Sequence, residues 1–194
     1  GSVLHVNRLV VLQSSQLSSL AAFESASWLE TVRIESAPLS DISALRSKNR
    51  ITRLKFMETQ LTDLSALTKL TNLLELNLSK NPVMDIGALA GLTQLKVLDL
   101  SDTQVRDLTP LSQLRSLREL KLTNSKVVEL SPLQSLPHLS KLDLAGMAIE
   151  DAELLSDFPQ LRNVSVTPSL LSPDIMAQLK TVFPDLAMSS ADYV

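Results

Sequence analysis

One feature leaves this chain little choice of fold. A Leu-x-Leu pair recurs as Leu76-Asn77-Leu78, Leu98-Asp99-Leu100, Leu120-Lys121-Leu122 and Leu142-Asp143-Leu144, with a spacing of 22 residues each time. Stepping back by the same interval gives Leu54/Phe56, Val32/Ile34 and Val10/Leu12, and stepping forward gives Val164/Val166. Eight units, from roughly residue 4 to 171, are expected in one register with no insertion. A fixed period of this length is the mark of a repeat architecture, in which each unit stacks only on its neighbours.

The remaining apolar residues keep the same phase. Leu29, Ile51, Leu73, Leu95, Leu117, Leu139 and Leu161 precede the pair by three residues. Leu4, Leu70, Leu92, Leu114, Leu136 and Phe158 precede it by six. Rows led by Leu17, Leu20 and Phe23 follow it; the first ends at Ile149 and the last at Leu155. A full unit therefore offers about seven inward side chains, such as Leu92, Leu95, Leu98, Leu100, Val105, Leu108 and Leu111. Aromatics are only 3% of a chain that is 44% hydrophobic, as expected when many equivalent slots need similar aliphatic shapes. One unit cannot bury enough surface alone, so stacking must supply the rest.

Successive side chains of a strand point to opposite faces. With the pair inward, the residue between its members and the two flanking it face solvent. Eight such strands stack in parallel about 5 Å apart. A 22-residue unit leaves too little chain for a full helix on the far side, so short 3-10 turns are expected there.

The stretch Leu95-Lys-Val-Leu98-Asp-Leu100-Ser-Asp-Thr103-Gln-Val105 resembles the 22-residue leucine-rich repeats of the internalin family and of the related protein-phosphatase regulators. The resemblance covers nearly the whole chain. It implies an α/β repeat fold: a right-handed leucine-rich-repeat solenoid with eight parallel strands on its concave face, short 3-10 turns on its convex side and a C-terminal capping helix. It also implies a bacterial protein-recognition module. One departure concerns the family's inward Asn, which appears only as Asn81; the slot elsewhere holds Ser15, Thr59, Thr103 and Ser125, or the apolar Ala37 and Met147. Thr and Ser hydroxyls then have to satisfy the backbone in place of an Asn ladder.

An acidic row accompanies the turns: Asp41, Asp63, Asp85, Asp107 and Asp151, with Glu129 in the same slot. It admits two readings, carboxylates accepting backbone N–H groups at each turn start or a ladder of calcium ligands. Calcium-binding β-helix repeats are Gly-rich and of shorter period; this chain has four glycines, which favours capping. At the C-terminus, Ser172-Pro173-Asp174 reads as a helix start, with Ile175, Leu179, Val182 and Phe183 inward at helical spacing. The N-terminus shows no comparable cap, and its would-be solvent positions include Leu9 and Val11. An open edge of that kind invites pairing, so something is expected to precede Val3 or to cover it. The divisions read are 1–2, a tag scar; 3–171, the solenoid; and 172–194, a capping helix and tail.

The search for chemistry finds little. Four glycines leave no phosphate loop, dinucleotide fingerprint or nucleophile elbow. There is no cysteine, so no disulfide or thiolate site. His5 and His138 lie six units apart, too far to share a site, and His138 reads as a solvated loop residue. No catalytic residue, cofactor or metal is therefore expected. A net charge of −3 without clustered Lys/Arg gives no reason to expect nucleic acid, and no apolar run is long enough to span a bilayer. The expected partner is another protein. Arg33, Arg53 and Lys55 make one end of the solvent-facing sheet basic, tempered by Glu35. With Met57 beside them, and Glu75 and Asn77 at the margin, they form the candidate binding site. Further along, Asp99, Lys121 and Asp143 alternate in sign and are expected to pair across strands. The alternative is a regulatory or architectural repeat segment of a larger signalling or enzymatic chain.

Overall fold

A computed structural model describes residues 7–147, 155, 158, 160–183 and 187–188. Leu4, His5, Ile149, Asp151 and the dipeptide Gly1-Ser2 lie outside the described residues. The strands are β1 (Arg8–Leu12), β2 (Thr31–Glu35), β3 (Arg53–Met57), β4 (Glu75–Asn77), β5 (Val97–Asp99), β6 (Glu119–Lys121), β7 (Lys141–Asp143), β8 (Asn163–Val166) and β9 (Ala187–Met188). They form one sheet in sequence order, and every neighbouring pair is parallel. Eight of these strands were expected. The ninth is an addition: it follows the C-terminal helix and pairs Ala187 and Met188 with Ser165 and Val166.

Short 3-10 turns such as Ser43–Leu45, Ser65–Leu67 and Thr109–Leu111 lie opposite the sheet. Their spacing explains the three-residue rhythm of the leucines. Leu67 N donates to Leu64 O, Leu70 N to Leu67 O and Leu73 N to Leu70 O, at 2.8–2.9 Å. Such bonds between residues three apart bring side chains at that interval to one face, so each leucine of the descending segment meets the core. The seven inward side chains of the fifth coil, Leu92 through Leu111, are 0–1% exposed.

The acidic row caps the turns one residue earlier than a conventional N-cap. Asp41, Asp63, Asp85 and Asp107 each accept the backbone N–H two residues ahead, from Ser43, Ser65, Gly87 and Thr109, at 2.7–2.9 Å. Glu129, one methylene longer, accepts instead from the Ser131 hydroxyl. These bonds have an electrostatic consequence. The Ser43 and Ser65 amides hold Asp41 and Asp63 below the ordinary carboxylate value, and the Thr109 hydroxyl, then its amide, does the same for Asp107.

The inward Asn slot also follows chemistry. Asn81 Nδ2 donates to the carbonyls of Phe56, Leu78 and Ser79. Its Oδ1 accepts the Leu61 amide and the Thr59 hydroxyl. Thr103 takes one of these duties, donating to Leu100 O at 2.7 Å. The Ser125 hydroxyl faces Met147 Sδ at 3.6 Å instead of the backbone.

The first coil departs from the expected register. Leu9 pairs with Val32 and Val11 with Ile34, a spacing of 23 residues, so Leu9 and Val11 turn inward. Val10 and Leu12, expected in the core, are 43% and 53% exposed. By Ser19, which bridges Asp41, the 22-residue phase is restored. One extra residue therefore sits between Gln13 and Leu17. Ser14 closes that wider turn, its Oγ accepting the amides of Gln16 and Leu17; Ser14, not Ser15, thus stands in the Asn slot. The run Leu9-Val10-Val11-Leu12 is apolar throughout, so its alternation alone could not fix the phase.

The helix α1 (Pro173–Val182) starts as expected, with Ser172 Oγ accepting the Ile175 amide at 3.2 Å. Leu179 and Phe183 are buried and Ile175 packs beside them. Val182 does not join them: it is 40% exposed. The buried stripe steps by four through 175, 179 and 183, which leaves position 182 at its edge.

Candidate functional site

The sheet positions expected to face solvent form three rows, but in the row that follows the Leu-x-Leu pair Ser79, Thr123 and Ala145 are buried. With the corrected register, Val10 stands beside Arg33, which stands beside Lys55, and Leu12 stands beside Glu35, which stands beside Met57. Arg53 stands beside Thr31 and Glu75, and Lys55 beside Asn77. The structure therefore brings all six expected site residues onto adjacent positions of β2, β3 and β4. A groove of about 300 Å³ runs over them, lined by Arg33, Arg53, Lys55, Glu75 and Asn77 and reaching Lys121 on β6. Met57 lies outside that lining, half-buried at the end of β3.

The cations are held rather than loose. Glu35 Oε1 accepts Arg33 Nε at 2.8 Å and Lys55 Nζ at 2.6 Å. Arg33 and then Lys55 lower the Glu35 pKa by these bonds, so the carboxylate stays ionised at neutral pH. Arg53 Nε donates to Glu75 Oε1 at 3.0 Å. Asn77 Nδ2 reaches Asp99 Oδ2 at 2.9 Å, while its Oδ1 accepts the Ser79 amide and hydroxyl. The alternating charges expected further along pair differently. Lys121 and Lys141 both approach Glu119, at 3.6 Å, whereas Asp99 and Asp143 accept the amides of Ser101 and Ala145. Each of these carboxylates is engaged by backbone two residues ahead, which turns it away from the neighbouring lysine.

Sequence reasoning missed two contributors, Val10 and Leu12, which add exposed apolar surface to the basic end of the sheet. The extra residue within Ser14-Ser15-Gln16 was the available signal. His138 is exposed, as read. Among the described residues no group of three or more His, Cys, Asp or Glu is placed to hold a metal ion, and no helix is long and apolar enough to cross a membrane.

Residues 71–113 and 93–135 fit the family description "Leucine Rich repeats (2 copies)". The chain carries leucine-rich repeats, stacked in the fold that the internalins share. Internalin C2 of Listeria monocytogenes superimposes with a TM-score of 0.81 at 24% identity, over 95% of this chain and 81% of that one. An internalin (inlF) from the same organism gives 0.65 at 23% identity, over 95% and 62%. A leucine-rich-repeat protein of Leptospira interrogans gives 0.72 at 19% identity, over 86% and 50%. The chain thus spans less than two thirds of the latter two. No curated protein matches it by sequence. Leucine-rich-repeat solenoids serve in general as protein-interaction modules, through the extended concave surface that stacking creates.

Proposed function

We propose that this solenoid is a non-enzymatic recognition module that binds another protein through the basic end of its concave sheet, around Arg33, Arg53, Lys55 and Met57, with Glu75 and Asn77 at the margin. The carrying observation is the groove over β1 to β6, whose cations are already oriented by Glu35 and Glu75. Oriented side chains on a stacked sheet lose little freedom on binding, which removes part of the cost of association. The stacked coils supply this surface, and α1 and β9 close its far end.

The test is the double reversal Arg33→Glu/Arg53→Glu, measured against a partner captured with the wild type. Binding is expected to be lost, with association slowed most at low salt and the circular dichroism spectrum unchanged. The convex double reversal Arg46→Glu/Lys69→Glu is expected to bind as the wild type does. Loss in the convex variant with none in the concave one moves the site to the other side of the solenoid.

A further inference from the structure

Arg33 and Arg53 each engage an intramolecular carboxylate through Nε alone, at 2.8 and 3.0 Å. A guanidinium carries five N–H donors. Among the described residues the terminal Nη groups of both arginines have no partner. Glu35 and Glu75 therefore hold each planar group from behind and leave its far edge to the groove. That edge fits a carboxylate with two parallel hydrogen bonds, which an ammonium cannot reproduce. Both side chains remain accessible, at 37% and 55% exposure.

The spacing narrows the ligand. Arg33 and Arg53 are one strand and two residues apart. At about 4.8 Å between strands and about 3.3 Å per residue, their Cα atoms are roughly 8 Å apart. Carboxylates two residues apart on a strand or four apart on a helix are separated by about 6–7 Å, a difference that long side chains absorb.

The charge pattern narrows it further. Arg8, Arg33, Arg53 and Lys55 outnumber Glu35 on β1 to β3, whereas the outward charges of β4 and β5 are Glu75 and Asp99. The basic surface is thus only three strands wide, about 10 Å. A nucleic acid lying along the groove would run onto carboxylates; a short acidic segment would not. Val10 and Leu12, exposed beside the cations, offer apolar contact to the same segment.

We propose that the two arginines form a pair of forks that receive two carboxylates from a short acidic, partly apolar segment of a partner protein. This rests on the concave-face reading above. Fluorescence anisotropy with a labelled peptide of alternating Glu and Leu tests it, beside a Gln-for-Glu counterpart and a single-stranded oligonucleotide. The Glu peptide is expected to bind saturably and more weakly as salt rises. The Gln peptide and the oligonucleotide are expected to bind at least about tenfold more weakly. Both Arg33→Lys/Arg53→Lys and Arg33→Glu/Arg53→Glu are expected to lose at least about tenfold in affinity for the Glu peptide, because lysine keeps the charge and loses the fork. If the lysine variant binds like the wild type and the glutamate variant does not, the forks are overturned while the concave site stands. If neither variant differs from the wild type, the site falls together with the forks. No saturable binding below about 1 mM, the weak limit of specific recognition, or tighter binding of the oligonucleotide, also overturns the proposal.

Discussion

The central coils and the first three coils obey one period with unequal strictness. In the fifth coil every inward slot is at most 1% exposed. In the first, Leu9 and Val11 are only half-buried and an extra residue interrupts the phase. The slot that Leu70, Leu92 and Leu114 fill holds Ala26 and Lys48 in the second and third coils. Lys48 is nonetheless 3% exposed, its Nζ donating to the Glu24 carbonyl at 2.8 Å. The residues fitting the family description, 71–135, are the strict coils; the proposed site centres on 33–57, before them. Repeats with neighbours on both sides are held to one residue type by packing. Ala26 and Lys48 depart from that type in the coils that carry the proposed site.

The largest expected effect breaks this comparison at its strict end. Leu100 is fully buried. Leu100→Ala opens a cavity between coils and is expected to cost about 2–5 kcal/mol in urea unfolding. Ser101, outward and half-exposed, is expected to tolerate alanine within about 0.5 kcal/mol. Equal losses at both positions would show that the strand phase is wrong even where the period is cleanest.

A smaller effect sharpens the comparison in the first coil. Leu9→Ser and Val11→Ser each remove apolar contact from a half-buried site and are expected to cost about 1–2 kcal/mol, below the full cost of a buried site. Val10→Ser and Leu12→Ser, on exposed positions, are expected to change stability by under about 0.5 kcal/mol. The opposite ranking would restore an uninterrupted 22-residue register from the first strand. It would also take Val10 and Leu12 away from the basic end of the sheet.

Why the sequence reads so well in one region and poorly in the other follows from what each position asks. Leu98 and Leu100 stand on either side of the charged Asp99 and ahead of the polar Ser101, so only one phase buries them both. The four apolar residues 9–12 satisfy either phase, and the choice falls to a Ser14 hydroxyl that closes a wider turn. The parallel sheet, the turns and the helix start were legible because their signals are local and repeated. The placement of Arg33, Arg53 and Lys55 on one face was legible too, because period and alternation fix direction. Their partners were not. Whether Glu35 takes one cation or two, and whether Lys121 turns to Asp99 or Glu119, depends on rotamers and backbone amides that no spacing encodes. Strand β9 escaped for the same reason: two residues carry no period.

The smallest effect concerns the capping row, which both regions share. The folded pKa values of Asp41, Asp63 and Asp107 lie below the ordinary 3.8, because hydrogen bonds from Ser43, Ser65 and Thr109 favour the ionised form. A carboxylate depressed in the folded state stabilises the fold fully above its unfolded pKa. That contribution fades as pH falls from about 3.8 through the folded values. The triple variant Asp41→Asn/Asp63→Asn/Asp107→Asn keeps a side-chain oxygen to accept each bond and removes the charge. Its melting temperature is expected to lie slightly below the wild type at pH 7 and to converge with it below pH 3.8. Calcium at pH 7 is expected to leave both melting temperatures unchanged, since each Asp already spends one oxygen on a backbone amide. Parallel curves down to the acid limit would show that the charge contributes nothing and that the bond alone caps the turn. A saturable rise with calcium, absent from the triple variant, would replace capping with a ladder of metal ligands along the convex side.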